Sequence, residues 1–190
     1  MPHYIFGYGS LFSQESRERT APTPQAWLAT LRTYARSWCF EDPEGYCALG
    51  ITHNELAHVN GVLIRVDAAH LPHFDEREAG YVRRDVTGQV ACDVAIERNA
   101  VIWTYVIETP APPCTCHPIA QTYLDVTLTG CLEYGAHIAE EFLRTTHGWE
   151  RPWAHDRNLP IFKRGLRSAP HESIDALLAR HVPLSRTDLR

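Results

Sequence analysis

The chain has 190 residues, 44% hydrophobic and 22% charged, enough apolar material to bury a core around a small site. Its formal net charge of −5 comes without a basic run that could track a phosphate backbone, so no nucleic-acid partner is expected. No stretch approaches the ~20 apolar residues of a membrane span, so no membrane partner is expected either.

The segment Met1–Gly7 has neither a charged leader nor an apolar core of the signal-peptide type. The six cysteines, at 39, 47, 92, 114, 116 and 131, therefore read as reduced thiols, and the expected location is cytoplasmic. No internal repeat or low-complexity tract divides the sequence, and residues 1–190 are expected to form one domain.

In chain order, residues 3–8 alternate aromatic and aliphatic side chains and run into Gly7-Tyr8-Gly9-Ser10, which predicts a buried strand ending in a tight loop. Ser13 caps a short helix through Arg19, stopped by Pro22 and Pro24. Strands are predicted over 26–40, 46–51 and 59–66. A helix over 68–79, capped by Asp67, is broken by Gly80, and 81–86 returns to strand. Residues 90–96 and 101–108 are expected to pair across a turn at Arg98-Asn99. The stretch 109–118, with four prolines, reads as an ordered loop. A long amphipathic helix follows over about 119–144, and a short one over about 172–180. Several strands before one long helix indicate an α+β fold, a small mixed β-barrel or sheet with flanking helices.

Three features carry possible chemistry. Leu71, Phe74 and Glu78 share one helical face, so Glu78 is expected to point inward while Glu76 and Arg77 turn away. An inward carboxylate suits general acid/base work, and equally a structural ion pair with Arg83 or Arg84; spacing leaves both open. The two glycines of Phe6-Gly7-Tyr8-Gly9-Ser10-Leu11 permit either a plain turn or a set of exposed amides that bind an anion. Cys114-Thr115-Cys116-His117 offers three soft ligands in four residues. It matches no standard zinc spacing and has no second ligand pair nearby in sequence, so no metal is expected.

Tyr8-Gly9-Ser10-Leu11 after the first strand, followed by Arg77-Glu78-Ala79-Gly80-Tyr81, resembles the γ-glutamylcyclotransferase superfamily. Tyr34-Ala35-Arg36-Ser37-Trp38 and Pro118-Ile119-Ala120-Gln121-Thr122-Tyr123 are similar to further segments of it, so the likeness spans roughly residues 4–135. It is nearest the bacterial cyclotransferase-like branch and related to ChaC proteins. The resemblance implies a mixed barrel in which Glu78 is catalytic. It also implies that Tyr8, Gly9, Ser10, Leu11 and Tyr123 bind a small-molecule γ-glutamyl substrate, glutathione or a γ-glutamyl amine or amino acid. The implied reaction releases 5-oxoproline without a cofactor, and the tail segment 149–164 covers the pocket mouth. A protein keeping the fold as a non-catalytic binding or regulatory module is the alternative.

Overall fold

The alternating aromatic and aliphatic residues at the start of the chain form β1 (His3–Gly7), buried from Tyr4 onward, in the computed structural model, which describes residues 1–112, 114 and 116–182. β2 (Ala26–Glu41) and β3 (Cys47–Val66) make a long antiparallel hairpin. The predicted strands 46–51 and 59–66 are thus one. Between Arg32↔His58 and Tyr34↔His53 the register shifts, and residues 54–57 stand opposite Thr33 alone, which takes a φ of +63°. This exposed bulge, with Leu56 pointing into solvent, hides the strand's continuity in the sequence.

β4 (Val82–Asp85), β5 (Val90–Cys92) and β6 (Val101–Val106) complete the main path, with order β4-β6-β1-β3-β2-β5. β6 runs parallel to β1 and antiparallel to β4, which makes the sheet mixed, as expected. The expected hairpin between 90–96 and 101–108 does not form. β6 carries four buried residues out of six and takes a central place with neighbours on both edges. The short, half-buried β5 pairs instead with Ala29–Leu31 of β2. β7 (Ile119–Ala120), β8 (Thr146–His147) and β9 (Trp153–Ala154) add short pairings to the far end of the hairpin.

Helices flank this sheet. Ser13 Oγ accepts the Ser16 amide at 3.3 Å to cap α1 (Gln14–Glu18), and Asp67 accepts from Ala69 at the turn before α2 (Leu71–Arg77). The predicted long helix is two, α3 (Gln121–Leu132) and α4 (Ala136–Thr145). Gly135, at φ +120°, breaks it, in a conformation that disfavours other residues. α3 is buried almost all round, whereas α4 buries only one stripe, and α5 (His171–His181) packs beside them. Among the described residues no helix is long and apolar enough to cross a membrane.

One charged side chain ties these layers together. Arg36 of β2 is fully buried, with its guanidinium 4.0 Å above the Phe142 ring. Its nitrogens donate to Thr146 Oγ1, the Tyr8 and Asn60 carbonyls, Asn60 Oδ1, the Phe142 carbonyl and Thr145 Oγ1, at 2.7–3.2 Å. Burial lowers its pKa to about 10, still well above neutrality, so the charge is kept and solvated by protein oxygens. The bond to Tyr8 fixes the loop after β1 against the end of α4.

That loop is also clamped from the other side. α3 lies so close at Gly130 that a Cβ there would overlap the backbone of Phe12 and Ser13. Gly130→Ala is therefore expected to cost about 1–3 kcal/mol by overpacking, read as a lowered denaturation midpoint. A wild-type midpoint would show that the helix and loop can separate freely.

Candidate active site

The site is assembled from three chain segments: the loop after β1, the end of α2 and the first turn of α3. Tyr8, Gly9, Ser10, Leu11, Glu78 and Tyr123, all singled out in the sequence, line one small cavity. Phe6, Gly7, Leu49, Tyr81 and Tyr105 complete its wall. A second hollow meets it at Ser10, Glu78, Tyr81 and Tyr123 and opens toward Asp42, Phe162 and Arg164. A wider hollow bounded by Met1, Pro24 and Asp67 includes none of these residues.

The loop is held through its backbone and its ring. Tyr8 donates its hydroxyl to the Tyr105 carbonyl at 2.7 Å, and the Phe12 amide donates to the Gly9 carbonyl at 2.9 Å. A Cβ on Gly9 would stand 2.9 Å from the Tyr123 hydroxyl, so a side chain there meets the wall of the cavity directly. Tyr123 cannot easily yield. Its ring packs against Trp38 at 5.7 Å, Tyr46 at 5.8 Å and Phe162 at 5.1 Å.

Glu78 sits one residue beyond α2, its amide still bonded to the Phe74 carbonyl at 2.9 Å. Leu71 and Phe74 are buried on the same side, so the inward direction expected from spacing holds. The chain then reverses at Gly80, φ +94°, where a Cβ would strike the Phe40 ring. The reversal places Tyr81 against Phe40 at 4.5 Å and lets its hydroxyl donate to the Leu49 carbonyl at 2.7 Å.

The expectation for Arg77 is overturned. It does not turn away: its side chain is 4% exposed, and its Nε donates to Glu78 Oε1 at 3.2 Å. The remaining nitrogens donate to the Ser16 carbonyl, Thr20 Oγ1, Ser10 Oγ and Ser16 Oγ at 2.8–2.9 Å. Helical spacing fails here because Arg77 ends the helix and its long side chain folds back over α1. Nor do Arg83 and Arg84 pair with Glu78; they engage Asp75 and Glu108. Glu78 is thus ion-paired, but with its neighbour.

The Glu78 side chain keeps 17% of its exposure, facing the cavity. Burial raises its carboxyl above the ordinary 4.5, while Arg77 and Arg164 pull the other way. Tyr8, Tyr81 and Tyr123 are pushed upward chiefly by burial, so their hydroxyls stay protonated at neutral pH. Arg164 and Phe162 come from the tail segment, which the sequence placed at the pocket mouth without assigning it chemistry. The only advance signal for Arg77 and Tyr81 was their place in Arg-Glu-Ala-Gly-Tyr, and for Phe162 and Arg164 the likeness of segment 149–164; Asp42 gave none.

A carboxyl raised in the folded chain holds its proton to higher pH than in the unfolded chain. Its contribution to stability is complete below about 4.5 and declines as pH rises through the folded value. Carbon-detected NMR titration is expected to give a Glu78 midpoint above 4.5. A midpoint at or below it would mean that the two arginines outweigh burial.

Comparison with solved structures finds this fold in a protein described as a gamma-glutamyl cyclotransferase. The TM-score is 0.61 at 17% identity, covering 82% of this chain and 95% of that one. An uncharacterized human protein matches with a TM-score of 0.60 and 17% identity, over 93% of this chain and 98% of its own. YkqA from Bacillus subtilis matches at 0.59 and 19%, over 75% of this chain, which spans about half (53%) of that longer protein. These identities establish the fold alone. Comparison with curated protein sequences returns no match. A family model does match, over residues 5–123, a span that holds the loop after β1, Arg77, Glu78 and Tyr123. The chain belongs to the family described as gamma-glutamyl cyclotransferase, AIG2-like.

Proposed function

We propose that this protein cyclises a γ-glutamyl compound to 5-oxoproline and releases the amine, with Glu78 as the acid/base. The observation that carries the reading is a carboxyl held at a cavity wall by Arg77, with its pKa raised by burial, facing the loop Tyr8–Leu11. The family membership supports the same chemistry.

The reaction is intramolecular. The α-amine of the substrate attacks its own γ-carbonyl, forming the ring C–N bond, and the tetrahedral adduct breaks the amide C–N bond to expel the amine. Holding the glutamyl chain folded supplies much of the acceleration, since no second reactant must be captured. The attacking ammonium gives up two protons to become a lactam N–H, and the departing amide nitrogen takes up two to leave as an ammonium. Glu78 begins as carboxylate, relays protons between the two nitrogens and ends as carboxylate. A pKa raised toward neutrality makes both transfers accessible.

Arg77 acts as a positioning residue in this reading. It keeps Glu78 aimed at the cavity and bonds Ser10 in the same lining. The amides of the Gly9–Leu11 loop are assigned to the oxyanion or to the substrate's α-carboxylate. The hollow toward Asp42, Phe162 and Arg164 is assigned to the departing amine and whatever it carries. Its lining mixes acidic, basic and aromatic side chains, suited to a polar leaving group. Glutathione, γ-glutamyl amino acids and γ-glutamyl amines all present the same reacting end.

Incubation with a mixed γ-glutamyl library, followed by mass spectrometry, is expected to show 5-oxoproline accumulating with one class of free amine. Gly9→Val, whose side chain meets Tyr123, is expected to abolish that release while the protein still folds. Absence of 5-oxoproline across the library would favour the non-catalytic module, and unchanged kcat/KM in folded Gly9→Val would reduce the loop to a turn.

A further inference from the structure

The loop from β6 to β7 carries a cluster that the reaction does not use. Cys114, Cys116 and His117 converge with Glu41, the last residue of β2, and one donor atom from each lies within 4.8 Å of every other. His117 Nδ1 is 3.3 Å from Cys116 Sγ, 3.5 Å from Cys114 Sγ and 3.8 Å from Glu41 Oε2. The sequence supplied three soft donors without a fourth. The fold brings the fourth from 73 positions upstream of Cys114, a separation that motif spacing cannot reveal.

We infer that Glu41, Cys114, Cys116 and His117 form a binding site for a tetrahedral, zinc-class divalent cation. Two thiolates, an imidazole and a carboxylate are the donor set of such an ion. Around a tetrahedral zinc, bonds of about 2.0–2.3 Å put neighbouring donors about 3.3–3.8 Å apart. The three separations to His117 already fall in that range. The two sulfurs, at 2.6 Å, are closer, yet well beyond a disulfide bond of about 2.05 Å, and open by about 1 Å to accept the ion. The protein fills all four positions, which marks a closed structural site rather than a catalytic one.

The position explains what the ion does. The loop is fastened on one side by Ala111, whose amide donates to the Cys39 carbonyl at 2.8 Å and whose carbonyl accepts from Arg151 at 2.6 Å. On the other side, Cys47 donates to the Pro118 carbonyl at 2.8 Å. Between these anchors the ion ties the loop to the end of β2, next to Phe40 and Asp42 of the substrate hollow and just before α3 with Tyr123. Metal binding then adds to folding free energy, because the site exists only in the folded chain.

The test is independent of Glu78 and of turnover. Full-length protein, reduced and stripped with a chelator, is titrated with Co2+ and then Zn2+. One equivalent of Co2+ is expected to produce thiolate-to-cobalt absorption that one equivalent of Zn2+ abolishes, and Zn2+ is expected to raise Tm. Cys116→Ser is expected to lose the absorption. Glu41→Gln, which leaves both sulfurs in place, is expected to weaken binding at least about tenfold, a loss seen even for residues that merely support a ligand. The inference is overturned if the reduced wild-type protein develops no such absorption. It is equally overturned if Cys116→Ser binds as wild type does, or if mass spectrometry finds Cys114 and Cys116 disulfide-linked under the same reducing conditions.

Discussion

A guanidinium kept out of water needs an oxygen for every N–H, and Arg77 sets much of the site's geometry by finding them. Its five donors reach Ser10, Ser16, Thr20 and Glu78, binding the loop after β1, the first helix and the end of α2 to one point. Four of these oxygens are neutral, so Glu78 supplies the compensating charge. A buried pair of this kind is weak evidence for stability, since its desolvation cost offsets much of its attraction. Here the pair has another consequence. It holds a carboxyl at a cavity wall in a state that burial pushes toward protonation and arginine pulls toward ionisation.

Arg36 plays the matching part beneath the loop. Its bonds to Tyr8, Asn60, Phe142, Thr145 and Thr146 leave the strand-to-loop turn no room to drift. Gly130 allows α3 to press on the same segment from outside. The loop is thus rigid for three separate reasons, which is what positioned amides require if they are to bind charge without reorganising.

Much of this was legible in the sequence, because local rules govern it. The strand into Gly7-Tyr8-Gly9, the caps at Ser13 and Asp67 and the inward direction of Glu78 follow from periodicity and side-chain chemistry over a few residues. What was hidden depends on distant partners. The bulge opposite Thr33 made one strand read as two, Gly135 split a helix whose apolar pattern runs through the break, and β6 was claimed by β1 and β4 rather than by its sequence neighbour. Arg77 was misread because helical spacing describes the Cβ direction, not where a long side chain ends once the helix has stopped. Glu41 reaches its cluster only through the fold, and no local pattern announces it.

The central claim is that Glu78 relays protons and is not kept for its ion pair. Glu78→Gln separates the two, because the amide oxygen can still accept from Arg77 Nε but cannot carry a proton. Turnover and melting temperature are measured on the same preparation. The account predicts that Glu78→Gln, assayed well below its own melting temperature so that it is folded, releases 5-oxoproline at least ~10²-fold more slowly than wild type, whatever stability the uncompensated Arg77 charge takes away. A folded Glu78→Gln protein with near-wild-type release would contradict it.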